Sequence, residues 1–265
     1  MTATSAEARF RSAYGEHRAG EGRGIAGDAL FELPYVHHGP VARQWAVRAR
    51  SYEVFMRKVL APLALHSRSA LRVADLGAGN GWLSWRVARL GHAAVALDIR
   101  DDTVDGLGAG TPYVQNVADR MQRCVGSFEH LPLADDSCNL VVFDASLHYA
   151  TDLRSALREA LRILATGGRI AIIDSPFYER AHDGEAMVEE KRRTASEKFG
   201  SRADALMELP FVEYLTEERL AAEGGIRWTR HRVRYPLWYE LRPVMARLRR
   251  NRIPSRFDVW EGVPA

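Results

Sequence analysis

Residues 72–81, RVADLGAGNG, constrain this chain more than any other stretch: an apolar run ends in an acid and gives way to glycines at alternate positions, Gly77, Gly79 and Gly81. Such a run reads as a buried strand entering a tight turn, because glycine takes positive φ without steric cost and lets a ligand approach the main chain. Residues 82–90 follow with Leu83, Val87, Ala88 and Leu90 at helical spacing. The turn is therefore expected to open onto a helix N-terminus whose free N–H groups favour an electron-rich ligand. A second apolar strand, HAAVALDIR, ends at Asp98, where nucleotide-binding βαβ units place a ribose-binding carboxylate.

The glycine spacing selects among nucleotides. A dinucleotide fingerprint needs a third glycine where this chain has Trp82, so a bound pyrophosphate is disfavoured. The D-L-G-A-G-N-G pattern resembles the first motif of class I S-adenosylmethionine-dependent methyltransferases. The resemblance continues in family order through Asp98, GSFEHLPLADDSCNLVVFDASLHY (residues 126–149) and LREALRILATGGRIAIID (157–174), covering roughly residues 50 to 175. It is closest to the small-molecule methyltransferases of ubiquinone and menaquinone biosynthesis.

Composition is compatible with one such domain plus additions. A chain of 265 residues with 46% hydrophobic and 27% charged content can bury a full core and is ordinary for a soluble globular protein. The two cysteines, Cys124 and Cys138, have no paired spacing, which argues against a disulfide framework or a zinc site, and no metal is expected. With no apolar stretch long enough to span a bilayer and a polar start, MTATSAEARF, the expected location is cytoplasmic. The formal net charge is only +3, but Arg242, Arg247, Arg249, Arg250, Arg252 and Arg256 crowd the end, and residues 191–193 form a second basic run. Neither is interleaved with base-stacking aromatics, so a solvated face or an acidic small substrate is expected rather than a duplex.

Apolar runs predict strands near residues 71–76, 92–98, 122–126, 139–143 and 169–174, with helices between them and a hairpin within RWTRHRVRYPLWYE. Gly167 and Gly168 are expected to end the helix of residues 153–164. The fold class is α/β: a doubly wound, Rossmann-like, seven-stranded and mostly parallel sheet. Residues 1–50 form an N-terminal helical cap, 51–240 the methyltransferase domain, and 241–265 a basic tail. An insertion at about 177–210, before the last strands, lies where the family builds a substrate lid.

The resemblance then assigns a site. Asp75 corresponds to the motif acid that engages the methionine end of the cofactor, and the backbone of Gly77, Ala78, Gly79 and Gly81 would lie against it. Asp98 would accept the ribose hydroxyls, with Ile99 packing on adenine. In the G-D-A-x-x-L-P block, Ser127 replaces the aspartate that bonds the adenine amino group, and Phe128 follows it. Asp144 and Tyr14, the latter in the cap, complete the cofactor set. His148, in the loop after the fourth strand, is the candidate general base near neutral pH. The reading is methyl transfer from S-adenosylmethionine to a small-molecule acceptor, with O-, N- or C-methylation left open. The alternatives are a nucleic-acid or protein methyltransferase, against which DASLHY stands in place of an Asn-Pro-Pro-Tyr motif, and a non-catalytic cofactor-binding scaffold. Oligomeric state is not legible.

Overall fold

The computed structural model describes residues 5–20 and 25–265. Seven strands form one sheet: β1 Arg72–Leu76, β2 Ala93–Asp98, β3 Met121–Val125, β4 Cys138–Asp144, β5 Leu164–Ile173, β6 Ile226–His231 and β7 Val259–Pro264. Their order is β3-β2-β1-β4-β5-β7-β6, with β1 to β5 parallel and β7 antiparallel to both β5 and β6. This is the expected doubly wound architecture. The strand order reverses between β1 and β4, and ligands in open α/β sheets bind beyond the carboxyl ends at such a switch point.

Helices cover both faces, which is why the central strands are nearly continuous apolar runs. Val73, Leu140, Val142, Ala171 and Ile173 point to one layer, with Phe55, Leu83 and Trp85. Ala74, Val141, Phe143, Ile170 and Ile172 point to the other, with Leu157, Ala160 and Ile163. The period-2 alternation of the strands thus serves two cores. The Leu153–Ile163 helix buries Leu153, Ala156, Leu157, Ala160 and Ile163 along one stripe and starts where the Asp152 side chain accepts from the amides of Arg154 and Ser155.

Two expectations are corrected. The helix after Asp152 stops at Ile163, and Gly167 and Gly168 lie within β5 rather than at the helix end. The closing hairpin does not form inside residues 227–240: Pro236 lacks an N–H and precedes a short helix, Leu237–Glu240, and the partner of β6 is β7. Residues expected to be a tail therefore supply a strand between β5 and β6. Gly262 permits this, since a Cβ there would fall 2.7 Å from the Trp228 ring and 2.8 Å from Ile226.

The N-terminal cap and the insertion meet. Phe10 and Ala13 of the Ser5–Gly20 helix pack with Leu206, beside Tyr14, Tyr149, Phe199 and Phe211. Ion pairs fasten this helix to the body: Arg9 to Glu208, Arg11 to Asp101 at 2.9 Å, and Arg18 to Asp105 at 2.7 Å.

Candidate cofactor cleft and acceptor chamber

A cleft opens at the carboxyl ends of β1, β2 and β4 under the Ser5–Gly20 helix. Tyr14, Gly77, Ala78, Gly79, Asp98, Ile99, Ser127, Phe128 and Asp144 all line it. Eight of these positions converge because each sits at or just past a strand end on the same edge of the sheet, and Tyr14 reaches the cleft from the Ser5–Gly20 helix above it.

The turn after β1 holds Gly77, Gly79 and Gly81 at φ +75°, +55° and +79°, conformations that residues with a Cβ rarely adopt. A Cβ on Gly77 would also fall 2.3 Å from Cβ of Ser146, whose hydroxyl donates to the Leu76 carbonyl. The turn amides are committed inward. Those of Gly77 and Ala78 donate to the Leu97 carbonyl at 2.7 and 3.0 Å, and that of Gly79 donates to Asp98 Oδ2 at 2.8 Å.

The helix N-terminus, Trp82–Arg89, differs from the expectation of free donors. The Trp82 amide donates to Asn80 Oδ1 at 3.1 Å, while the Ser84 amide and its hydroxyl, at 2.9 Å, donate to Asp75. An anion-binding end would leave those amides open to the ligand. Here the chain's own side chains take them, which removes the cradle a pyrophosphate needs. Asp75 and Gly81 accordingly stand behind the cleft wall rather than on it. Gly81 is a packing residue, since its Cβ would meet Met121 Cε at 2.6 Å. Asp75 is buried, its Oδ1 has no partner among the described residues, and burial pushes its carboxyl up to about 8.

Asp98 ends β2 with both oxygens engaged by backbone, Oδ2 with Gly79 and Oδ1 with the Arg100 amide at 2.8 Å. Each oxygen keeps a lone pair for the cleft. Burial raises its carboxyl above the ordinary range, opposed by the Arg100 guanidinium. On the opposite side, Ser127 Oγ accepts from the Glu129 amide at 3.2 Å, a local turn that leaves its O–H free to donate. Phe128 stands edge-on to Phe143, with ring centroids 5.8 Å apart. Arg100 lies under the Tyr14 ring at 4.8 Å, and the Tyr14 hydroxyl meets that of Tyr149 at 3.3 Å.

A second chamber adjoins the first through Tyr14, Arg18, Gln44, Arg48, Ala145 and Tyr149. Its wall includes His148 and Asp174. Arg48, from the Ala42–Phe55 helix, divides the two spaces. Its Nη2 donates to both oxygens of Asp144 at 2.9 Å and its Nε to Asp174 Oδ2 at 3.1 Å, with the guanidinium 4.5 Å from the Trp45 ring. Burial and the Asp144 charge raise the Asp174 carboxyl to about 7 against the pull of Arg48, and its Oδ1 is buried with no partner among the described residues. Asp174 and Ala145 both adopt positive φ, +52° and +54°, at the ends of β5 and β4, strain of the kind that gathers at functional sites.

His148 is corrected in one respect. It lines the second chamber, but burial and the Lys191 charge push its imidazole down to about 3, so it stays neutral instead of titrating near pH 6 to 7. Its Nδ1 lies 3.4 Å from Ser175 Oγ and its ring 4.3 Å from that of Tyr149. Sequence reasoning missed Arg48 and Asp174. A signal for Asp174 existed, since β1, β2, β4 and β5 each carry an aspartate at or next to the last residue: Asp75, Asp98, Asp144 and Asp174. Arg48 had none, being one of several arginines on an amphipathic helix.

Sheet order and glycine turn define a doubly wound protein with a cleft at its switch point. The family described as a methyltransferase domain matches residues 74–172. A malonyl-(acyl-carrier protein) O-methyltransferase of Methylococcus capsulatus is 32% identical over 189 residues, 63% of this chain and 66% of that one. A ubiquinone/menaquinone biosynthesis C-methyltransferase UbiE of Dinoroseobacter shibae is 29% identical over 126 residues, 45% of this chain and 50% of that one. The chain spans about half the length of the curated relatives it matches. A solved structure of a putative sarcosine dimethylglycine methyltransferase from Galdieria sulphuraria shares the fold, with a TM-score of 0.56 at 16% identity over 96% of each chain. The chain therefore carries a methyltransferase domain over residues 74–172, of a family in which use of S-adenosylmethionine is general. Among the described residues no helix is long and apolar enough to cross a membrane.

Proposed function

We propose that the protein transfers the methyl group of S-adenosylmethionine to a small-molecule acceptor held in the second chamber. The observation that carries this reading is the pair of joined chambers, divided by Arg48 and roofed by the Ser5–Gly20 helix. A roofed chamber suits a small molecule better than a duplex or a folded protein.

The residues of the first chamber fit this cofactor. Asp98 would accept from the ribose hydroxyls, Ile99 and Phe128 would pack on adenine, and the Ser127 O–H would donate to an adenine ring nitrogen. The partnerless Oδ1 of Asp75 fits contact with the methionine end through water. When bound, S-adenosylmethionine supplies a methyl group already activated by its sulfonium leaving group, so the protein must mainly align the acceptor and exclude water. Tyr14 and Tyr149 would close the junction between chambers, and Arg48 would orient the acceptor.

For an acceptor that must lose a proton, Asp174 Oδ1 is better matched to the task than His148 Nδ1. A base works best with a pKa near the operating pH, and Asp174 is the group raised to about 7 while His148 is lowered to about 3. Turnover with such an acceptor should rise through pH 7 to a plateau as Asp174 ionises. The Asp174→Asn variant should lose that limb and about a hundredfold or more of turnover, whereas His148→Ala should keep the limb. Retention of the limb in Asp174→Asn would remove the carboxylate from the proton path.

The reading as a whole is tested by incubating the protein with methyl-labelled S-adenosylmethionine and a fractionated cell extract. Label is expected in the small-molecule fraction. Label confined to nucleic acid or protein would establish the macromolecular alternative, and no transfer to any fraction would favour the scaffold.

A further inference from the structure

We propose that residues 237–250 form a docking surface for an anionic lipid bilayer. The Leu237–Glu240 and Arg242–Leu248 helices run on from one another through Leu241, which keeps helical backbone angles. Along them Leu237 is 79% exposed, Trp238 48%, Leu241 53%, Met245 44% and Leu248 74%. Positions 237, 241, 245 and 248 recur at the helical period, so these side chains form one apolar ridge in water. Elsewhere on the described surface, large exposed hydrophobic residues are scattered along the sequence.

The charge beside the ridge is mostly positive: the adjoining groove is lined by Arg193, Arg242, Arg249 and Arg250 against Glu189 and Glu190. Arg242, Arg247, Arg249 and Arg250 make no ion pair among the described residues, whereas Arg252 and Arg256 are tied to Glu190 and Glu240. Glu240, the single acid of this segment, is thereby taken up by Arg256 at 3.1 Å. A ridge of Leu, Trp and Met rimmed by arginines matches a bilayer interface, where apolar side chains enter the acyl boundary and guanidinium groups meet lipid phosphates. A second copy is a poor occupant, because two-fold packing of the ridge would set these arginines against their own copies. Trp238 and Arg242 belong both to this surface and to the wall of the second chamber. Docking would therefore set the chamber mouth at the lipid surface.

The inference stands apart from methyl transfer, and S-adenosylhomocysteine affinity measured on the same proteins keeps the two distinguishable. The test is co-sedimentation of the full chain with vesicles of phosphatidylcholine alone or with ~30% phosphatidylglycerol, at low and high salt. Binding to the anionic vesicles should be at least about tenfold tighter than to neutral ones and should weaken with salt. The exposed double variant Leu241→Ser/Leu248→Ser should lose most of it with unchanged melting and S-adenosylhomocysteine affinity. Arg247→Glu/Arg250→Glu should lose the preference for anionic lipid. Failure of the parent to bind anionic vesicles at low salt overturns the proposal, as does parental binding by the double leucine variant. Retention on an acidic protein without vesicle binding overturns it in favour of a protein partner.

Discussion

Replacing Arg48 by methionine is expected to cost about 3–5 kcal/mol of stability near pH 8, because it leaves two buried carboxylates, Asp144 and Asp174, without their shared cation. Both carboxyls already lie above the ordinary aspartate range through burial, and Arg48 is what opposes the rise. Without it their folded-state pKa values climb further above the unfolded value near 3.9. A carboxyl raised on folding favours the folded state at low pH, where it is protonated in both states, and loses that advantage as pH rises toward its folded pKa. The penalty should therefore be small near pH 4 and grow through neutrality. Urea unfolding of parent and variant at pH 5 and pH 8 measures it, and adding Asp144→Asn should restore part of the loss. An equal penalty at both pH values would mean that the ion network contributes only packing.

The second large effect is expected at Asp98. Asp98→Ala should weaken S-adenosylhomocysteine binding by roughly 2–4 kcal/mol through loss of charge-assisted bonds to the ribose hydroxyls. Part of the effect is indirect, since the same carboxylate accepts from the Gly79 and Arg100 amides and so holds the glycine turn against the end of β2. Asp98→Asn separates the contributions by keeping an acceptor for one amide without the charge. Its affinity should fall between parent and alanine variant. Because burial raises the Asp98 carboxyl, parental affinity should decline on the acid side as that group protonates, and the asparagine variant should not show this decline. Calorimetric titration across pH checks both, and parental affinity in Asp98→Ala would exclude the ribose role.

The legible part of this molecule was the part written in one stretch of chain. The glycine turn, the acid ending β2 and the apolar runs of the parallel strands follow from local sequence, because a two-faced buried strand and a left-handed turn leave few residue choices. The order of the edge strands was not legible. RWTRHRVRYPLWYE alternates like a hairpin, yet β6 pairs with a strand almost thirty residues farther on, and Gly262 matters there only because Trp228 and Ile226 press on it. Titration was equally hidden. His148 and Asp174 shift in opposite directions from their ordinary values, since burial lowers an imidazole and raises a carboxyl, and burial is a property of the assembled fold. The helix N-terminus after Gly81 shows the same limit. Its spacing suggested free amides, and only the assembled turn brings Asp75 and Asn80 onto them.

The most direct test of the account is calorimetric titration of the parent protein with S-adenosylhomocysteine and, separately, with NAD. The inward-facing turn amides and the self-capped helix predict saturable one-to-one binding of S-adenosylhomocysteine and no measurable heat with NAD. Tight NAD binding with none of S-adenosylhomocysteine would contradict the account at its root.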